Sequence, residues 1–133
     1  MLLAASGCQT SADEGALRGD VVAHCDGVHR GIDQAAAAYR DGRDSVAGIG
    51  NVREFMTVHA YRELLFCAKV RSTSSDGRAA AKAEDVSVLA QSLDEVGPPS
   101  SQLVGPERTK VIDLIDQIAA RSKEIRDIPV RGD

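Results

Sequence analysis

Three stretches rich in glycine, proline and small polar residues, at 42–50, 72–77 and 97–101, divide this chain into four segments. In each segment the apolar residues recur at intervals of three and four, the spacing of one face of an α-helix. The third stretch contains Gly97-Pro98-Pro99, and because proline removes a backbone donor and fixes φ, we expect no helix to continue through it. No segment shows the sustained alternation of a strand. The sequence therefore predicts an all-α fold, a single-domain antiparallel bundle of four helices.

The predicted helices run over about 16–39, 52–70 and 78–96, and from Gly105 to just before Pro129. Asn51 is the predicted N-cap of the second helix, since Glu54 follows it as in a capping box. Gly27 and Gly31 lower the helix propensity in the middle of the first helix. The predicted core faces are Val21, Cys25, Val28, Ile32, Ala35 and Tyr39; Val52, Phe55, Met56, His59, Phe66, Cys67 and Val70; Ala79, Ala83, Val86, Ala90 and Leu93; and Val111, Leu114, Ile115, Ile118, Ser122 and Ile125.

Composition limits both the core and the partners. The chain has two Tyr, two Phe and no Trp, so its core must be built from Ala, Val, Leu and Ile. The formal net charge of −4, with no basic stripe or aromatic platform, argues against a nucleic-acid partner. No apolar run approaches the roughly 18 residues that a membrane-spanning helix needs.

The first residues carry a resemblance to a known class of protein. Leu2-Leu3-Ala4-Ala5 leads into Ser6-Gly7-Cys8, which resembles the end of a bacterial lipoprotein signal peptide. The resemblance implies that residues 1–7 are the remnant of a signal that begins upstream, and that Cys8 is diacylated and becomes the first residue of the mature protein. Residues 8–15 would then be the lipidated cysteine and a flexible tether, 16–129 the helical bundle and 130–133 a tail. Gln9 after the cysteine implies anchoring at the periplasmic face of the outer membrane.

If Cys8 carries lipid, Cys25 and Cys67 remain as an even pair in an oxidising compartment. Both lie on the predicted apolar faces of helices 1 and 2, which a short connection makes antiparallel neighbours. We therefore expect a Cys25–Cys67 disulfide. The alternative is a pair of buried free thiols, which is ordinary for cysteine.

The two cysteines also allow an alternative to the disulfide, in which Cys25, His29, His59 and Cys67 form a tetrahedral zinc site between two helices. Their spacing matches no zinc signature, so we expect no metal and no cofactor. Catalysis is not expected either, because no nucleophile accompanies any histidine and no catalytic motif is present. Asp113 and Asp116 are expected on a solvated face of helix 4.

Helix 2 also has apolar residues on its second side, at Val58, Tyr61 and Leu65. A helix that is apolar on both sides is usually buried on both sides, so predicted helix 3 or 4 is expected to cover this strip. The functional alternative leaves the strip exposed as a partner-binding surface.

We interpret the chain as a non-catalytic, membrane-anchored helical lipoprotein of the bacterial envelope that binds another protein, as an adaptor, assembly or immunity-type factor. No small-molecule substrate is inferred. A cytoplasmic helical-bundle adaptor or regulator remains the alternative, and a metal-binding helical protein the third interpretation.

Overall fold

A computed structural model describes the backbone of residues 2–71, 78–98 and 102–128, and the side chains of 19–69, 78–98 and 102–128. The elements are α1 (Leu2–Arg40), β1 (Ser45–Val46), β2 (Gly50–Asn51), α2 (Val52–Glu54), a π turn (Phe55–His59), α3 (Ala60–Arg71), α4 (Arg78–Asp94) and α5 (Gly105–Asp127). The segment α2–π–α3 is one continuous helical rod, so the described chain forms four rods. The all-α prediction is confirmed.

The four rods close into a ring: α1 packs against α3 and α5, and α4 packs against the same two helices. Side-chain contacts show that neighbours run antiparallel. His29 and Arg40 of α1 contact Ser122 and Asp116 of α5, so positions rise along one helix as they fall along the other. The predicted antiparallel bundle is therefore what the structure has.

The contact between α4 and α5 is also polar at its edge. Lys82 donates to Glu124 at 2.8 Å, and Arg121 donates to the other oxygen of the same carboxylate at 2.6 Å. The Lys82 hydrogen bond lowers the pKa of Glu124, while desolvation opposes that shift.

Aliphatic side chains, mostly Ala, Val, Leu and Ile, fill the centre of the bundle, as the composition predicts. Every residue of the predicted faces of α4 and α5 is buried, Ser122 included. On α1 the predicted positions Cys25, Ile32, Ala35 and Tyr39 are buried, and Val21 and Val28 are half-buried. The periodicity of three of the four rods thus identified the core correctly.

The second rod departs from its predicted face. Its buried apolar residues include five that lie four apart: Val52, Met56, Ala60, Leu64 and Ala68. Positions four apart drift by about 40° per step in an α-helix, which turns through about 100° per residue. In the π turn the N–H of Ala60 donates to the carbonyl of Phe55, five residues back, which adds a residue to one turn and offsets this drift.

Because of this change of phase, two residues of the predicted helix-2 core face are exposed. His59 is exposed and Phe66 is 47% exposed, whereas Cys67 beside it is buried. The side chain of Val70 lies outside the described residues.

Helix α1 begins at Leu2 rather than at the predicted Ala16. Residues 2–15 contain no proline, and their alanines and leucines favour a helix, which continues through Gly7 and Gly15 despite the low helix propensity of glycine. The segment expected to be a flexible tether, 8–15, is thus helical in the structure. Its role as the connection to a lipid stays a prediction.

The connection after α1 folds into a two-residue antiparallel ladder, pairing Ser45 with Asn51 and Val46 with Gly50. Gly42 has φ of 93°, a left-handed conformation that ends α1 without the strain a side chain would add. Asn51 Oδ1 accepts from the backbone N–H of Glu54 at 2.9 Å, which confirms the predicted N-cap. This hairpin places Ile49 against α1.

Candidate functional site

An open groove lies between α1 and the π turn, and we name it the α1–π groove. Its volume is about 490 Å³. That is within the range of roughly 300–1,000 Å³ typical of ligand pockets. The lining residues come from α1, the hairpin, the π turn and α3: Ala23, His24, Gly27, Val28, Gly31, Ile49, Phe55, His59 and Glu63.

Two glycines of α1 form the floor of the groove. A Cβ at Gly31 would lie 3.6 Å from Cδ1 of Ile49, so the hairpin closes the groove at that end. A Cβ at Gly27 would meet only the terminal Nη2 of Arg30, at 3.9 Å. The floor is therefore open backbone at Gly27. Glycine lowers the helix propensity there, but its missing side chain leaves room for an occupant of the groove.

The π turn and the start of α3 supply the opposite wall. The rings of Phe55 and His59 lie 6.2 Å apart at an interplanar angle of 35°. Phe55 is half-buried against the core and His59 is exposed. Since π turns occur often at functional sites, this departure from regular helix points to the same wall.

The upper rim combines one carboxylate with an imidazole. His24 Nε2 and Glu63 Oε2 lie 3.0 Å apart, and their side chains are 57% and 40% exposed. The ring of Phe66 meets His24 edge-on, with centroids 6.3 Å apart, and so extends the apolar surface beyond the groove. The arrangement offers apolar contact and a single hydrogen-bonding carboxylate.

A disulfide lies beside the groove and joins its two helical walls. Cys25 of α1 and Cys67 of α3 are bonded, with Cα atoms 5.7 Å apart, as the sequence predicts. Both are buried, at 1% and 0% exposure. The bond holds α1 and α3 together beside the groove.

The alternative zinc site at Cys25, His29, His59 and Cys67 is not assembled. The cysteines are bonded to each other, and His29 is buried, with Nδ1 2.8 Å from Ser122 Oγ of α5. His59 is on the exposed side of the π turn. Among the side chains of 19–69, 78–98 and 102–128, no group of three or more His, Cys, Asp or Glu is placed to hold a metal.

The strip Val58, Tyr61 and Leu65 is divided by the packing of α4. Tyr61 and Leu65 are half-buried and pack against the core, and Tyr61 Oη donates to Glu84 of α4 at 2.9 Å. That hydrogen bond raises the pKa of Tyr61. Val58 is 42% exposed. The strip is therefore not a continuous exposed surface, and a role for Val58 in partner binding stays a prediction.

The two aspartates of α5 that were expected on a solvated face, Asp113 and Asp116, each accept a hydrogen bond from another side chain. Asp113 accepts from Gln117 at 2.8 Å, and Asp116 accepts from Arg40 at 2.6 Å. Asp113 is exposed, as predicted, and Asp116 is half-buried by its ion pair. The side chain of Cys8 lies outside the described residues, so its lipidation stays a prediction.

Sequence reasoning did not find the α1–π groove. Gly27 and Gly31 were visible as a weakness in helix 1, and their spacing of four was the available signal. The other wall depends on the π turn, which no pattern in the sequence indicates. Glycine spacing alone could not have placed His59 and Glu63 opposite it.

Comparison with family models, curated proteins and solved structures found no match to any of them. Over the described stretches 2–71, 78–98 and 102–128, none of the helices combines the length and apolar character needed to cross a bilayer. The function must therefore be argued from the chain's own residues.

Proposed function

We propose that this protein is a non-catalytic, lipid-anchored helical protein of the bacterial envelope that binds a partner protein in the α1–π groove. The observation that carries the binding role is the open apolar groove, floored by Gly27 and walled by Phe55 and His59. An exposed apolar concavity is the usual form of a helix- or side-chain-binding site. The exposed ring of Phe66 beside the groove enlarges the contact area.

The proposed location in the bacterial envelope is supported by two features at different places in the chain. The lipoprotein-like residues 2–8 imply export and acylation at Cys8. The Cys25–Cys67 bond supports the same compartment, since disulfides persist in the periplasm and are rare in the cytosol.

The anchor is tested by metabolic labelling. Expressed with its upstream codons in a bacterium, the protein should incorporate a labelled fatty acid and partition into detergent, and Cys8→Ser should abolish both. Several acyl chains anchor a protein stably, so the mature form should stay with membranes through a high-salt wash. Labelling that persists in Cys8→Ser would remove the lipoprotein proposal.

The binding site is tested by photo-cross-linking in living cells. A photoreactive phenylalanine analogue at His59 lies on the groove wall, while the same analogue at Val88, which is 63% exposed on α4, is the matched control. We expect one defined partner from position 59 and not from position 88. The partner is then identified by mass spectrometry and purified, so that its affinity is measured directly.

Gly27→Leu is the variant that separates binding from folding. Its Cβ meets only a flexible arginine terminus, and leucine favours the helix over glycine by roughly 0.8–1 kcal/mol, so the fold should be kept. The added side chain occupies the groove floor, and we expect at least a tenfold loss of partner affinity. Gly19→Leu on the same helix, with nothing within 4 Å, is the control and should bind normally. Full affinity in Gly27→Leu would place the partner elsewhere.

A further inference from the structure

We infer that the α1–π groove takes a basic side chain, lysine or arginine, from its protein partner. The carbon stem would lie along the floor at Gly27 and Gly31, and the charged end would pair with Glu63. The inference rests on the proposed partner-binding function and names the chemistry that the groove recognises.

The charge of the groove lining is complementary to that of a cation. Glu63 is the single Asp, Glu, Lys or Arg side chain among the residues that line the groove, which are otherwise apolar or imidazole. A carboxylate beside an apolar channel favours a cation with an apolar stem over a neutral apolar group.

The hydrogen bonding of Glu63 leaves room for that cation. Its contact with His24 uses Oε2, and Oε1 has no hydrogen-bond partner among the described side chains. A carboxylate has about four lone-pair sites on its two oxygens, so a guanidinium or ammonium can be added without breaking the His24 contact.

The groove also carries aromatic rings on its wall and at its rim. Phe55 and His59 lie on the groove wall, and the edge-to-face pair of His24 and Phe66 lies at the rim. A cation held within about 6 Å of an aromatic face is attracted by the ring. The groove therefore offers a carboxylate, aromatic faces and an apolar floor together.

Arg30 allows a second test, in which a substitution should increase the affinity for a cation rather than reduce it. Its Nη2 lies 3.9 Å from the position that a Cβ of Gly27 would take, so the chain's own cation is at the edge of the floor. Because like charges repel, an incoming cation should bind more tightly once this charge is removed.

The experiment uses the full disulfide-bonded chain and two small probes of the same shape, n-butylguanidinium chloride and neutral n-butylurea. Each is titrated while backbone amide shifts are recorded by NMR. We expect n-butylguanidinium to shift Gly27, Gly31 and Glu63, and to bind about threefold to fivefold more tightly than n-butylurea, as for an ion pair near a surface. The difference should shrink as salt is added.

Three variants assign the effect. Glu63→Gln should reduce the affinity for n-butylguanidinium to that for n-butylurea, and Arg30→Gln should increase it. Glu95→Gln, an exposed acid beyond the end of α4, is the control and should change nothing.

The two proposals fail in different ways. Any one of three results would overturn the basic-side-chain inference. The two probes bind equally, or Glu63→Gln keeps the affinity of the parent for n-butylguanidinium, or neither probe shifts the amide signals of the groove. The assignment of partner binding to the groove falls only if Gly27→Leu keeps full affinity for the purified partner. A partner that is lost by Gly27→Leu and kept by Glu63→Gln would confirm the groove and refute its preference for a cation.

Discussion

At the scale of single residues, two arginines donate hydrogen bonds to backbone carbonyls near the ends of helices. Arg53 is 2% exposed, and its guanidinium donates to the carbonyls of Gly97 at 3.0 Å and Pro98 at 2.9 Å. These carbonyls follow the C-terminus of α4, where the helix cannot bond its own last acceptors and where a cation is favoured. A charge this deeply buried is tolerated because both terminal nitrogens of the guanidinium are hydrogen-bonded, although Nε has no partner among the described residues.

Replacing Arg53 by methionine should therefore lower the free energy of unfolding by about 2–3 kcal/mol, since these half-buried carbonyls lose a charged donor. Chemical denaturation monitored by circular dichroism measures this. Arg43→Met is the matched control, because Arg43 is exposed and its ion pair with Asp41 spans 3.9 Å. That change should stay within about 0.5 kcal/mol. Equal stability of the two variants would contradict the role given to Arg53.

The second arginine acts on Tyr39. Arg108 lies with its guanidinium carbon 4.2 Å from the ring centroid and donates to the Tyr39 carbonyl at 2.8 Å. Burial raises the pKa of Tyr39, while the positive charges of Arg108 and Arg53 oppose that shift. The net result is a phenol that the folded state keeps protonated beyond the ordinary tyrosine range.

This shift predicts a loss of stability in alkali. A pKa higher in the folded than in the unfolded state contributes stability that is fully present below the unfolded value, about 10, and is lost as pH rises through the folded value. Tyr39→Phe should therefore show a shallower fall in stability above pH of about 10 than the parent. Urea melts across that range measure the two slopes. The same slope in both proteins would refute the prediction.

At the scale of elements, the π turn determines what the second rod presents to its neighbours. It keeps Val52, Met56, Ala60 and Leu64 on the core side and places Phe55 and His59 along the groove. A regular α-helix over the same residues would let those positions drift around the rod. The groove wall is thus a consequence of one additional residue in one turn.

Deleting Val58, which is 42% exposed, should convert the π turn to α-helix while its flanks keep their orientation. We expect the variant to fold with an unchanged or higher melting temperature, because π hydrogen bonding is rare and less favourable. It should bind the proposed partner poorly, because the wall at 55–59 changes shape. Thermal melts and partner affinity are the two measurements. A variant that unfolds would show that the additional residue is needed by the core.

At the scale of the whole molecule, the disulfide adds a covalent link to a core that is rich in alanine. Ala68, Ala79 and Ala83 are among its buried residues. Alanine removes less apolar surface from water than leucine or isoleucine, so these positions contribute little to stability by burial. A covalent link between α1 and α3 acts on the unfolded chain instead.

The bond spans a sequence separation of 42 residues. A loop of that size should contribute about 4 kcal/mol by the chain-entropy estimate. The double variant Cys25→Ala, Cys67→Ala should be less stable by about that amount, and reduction should lower the stability of the parent but leave the variant unchanged. Guanidinium denaturation with and without reductant measures both. Identical curves for oxidised parent and variant would mean that the bond does not support the fold.

Most of the fold could be predicted because its signals are local. Val111, Leu114 and Ile118 lie three and four residues apart, so they share one face of a helix wherever that helix lies. Gly97-Pro98-Pro99 ends a helix in any context. The Cys25–Cys67 pair was predictable because each cysteine occupied the apolar face of its own helix, a short connection makes those helices neighbours, and export would leave the two as an even pair in an oxidising compartment. The early start of α1 was missed because a run of small polar residues is compatible with both helix and tether.

The sequence by itself thus determined four helical segments, their core faces in three cases and the covalent pair between the first two. Only the tertiary structure decided the phase of the second rod, because that rod is apolar on more than one side and its neighbours select which side is buried. The same choice exposed His59 and Phe66, set the π turn against Gly27 and Gly31, and placed Glu63 at the rim. The groove exists only where two helices meet, and no single stretch of sequence contains it.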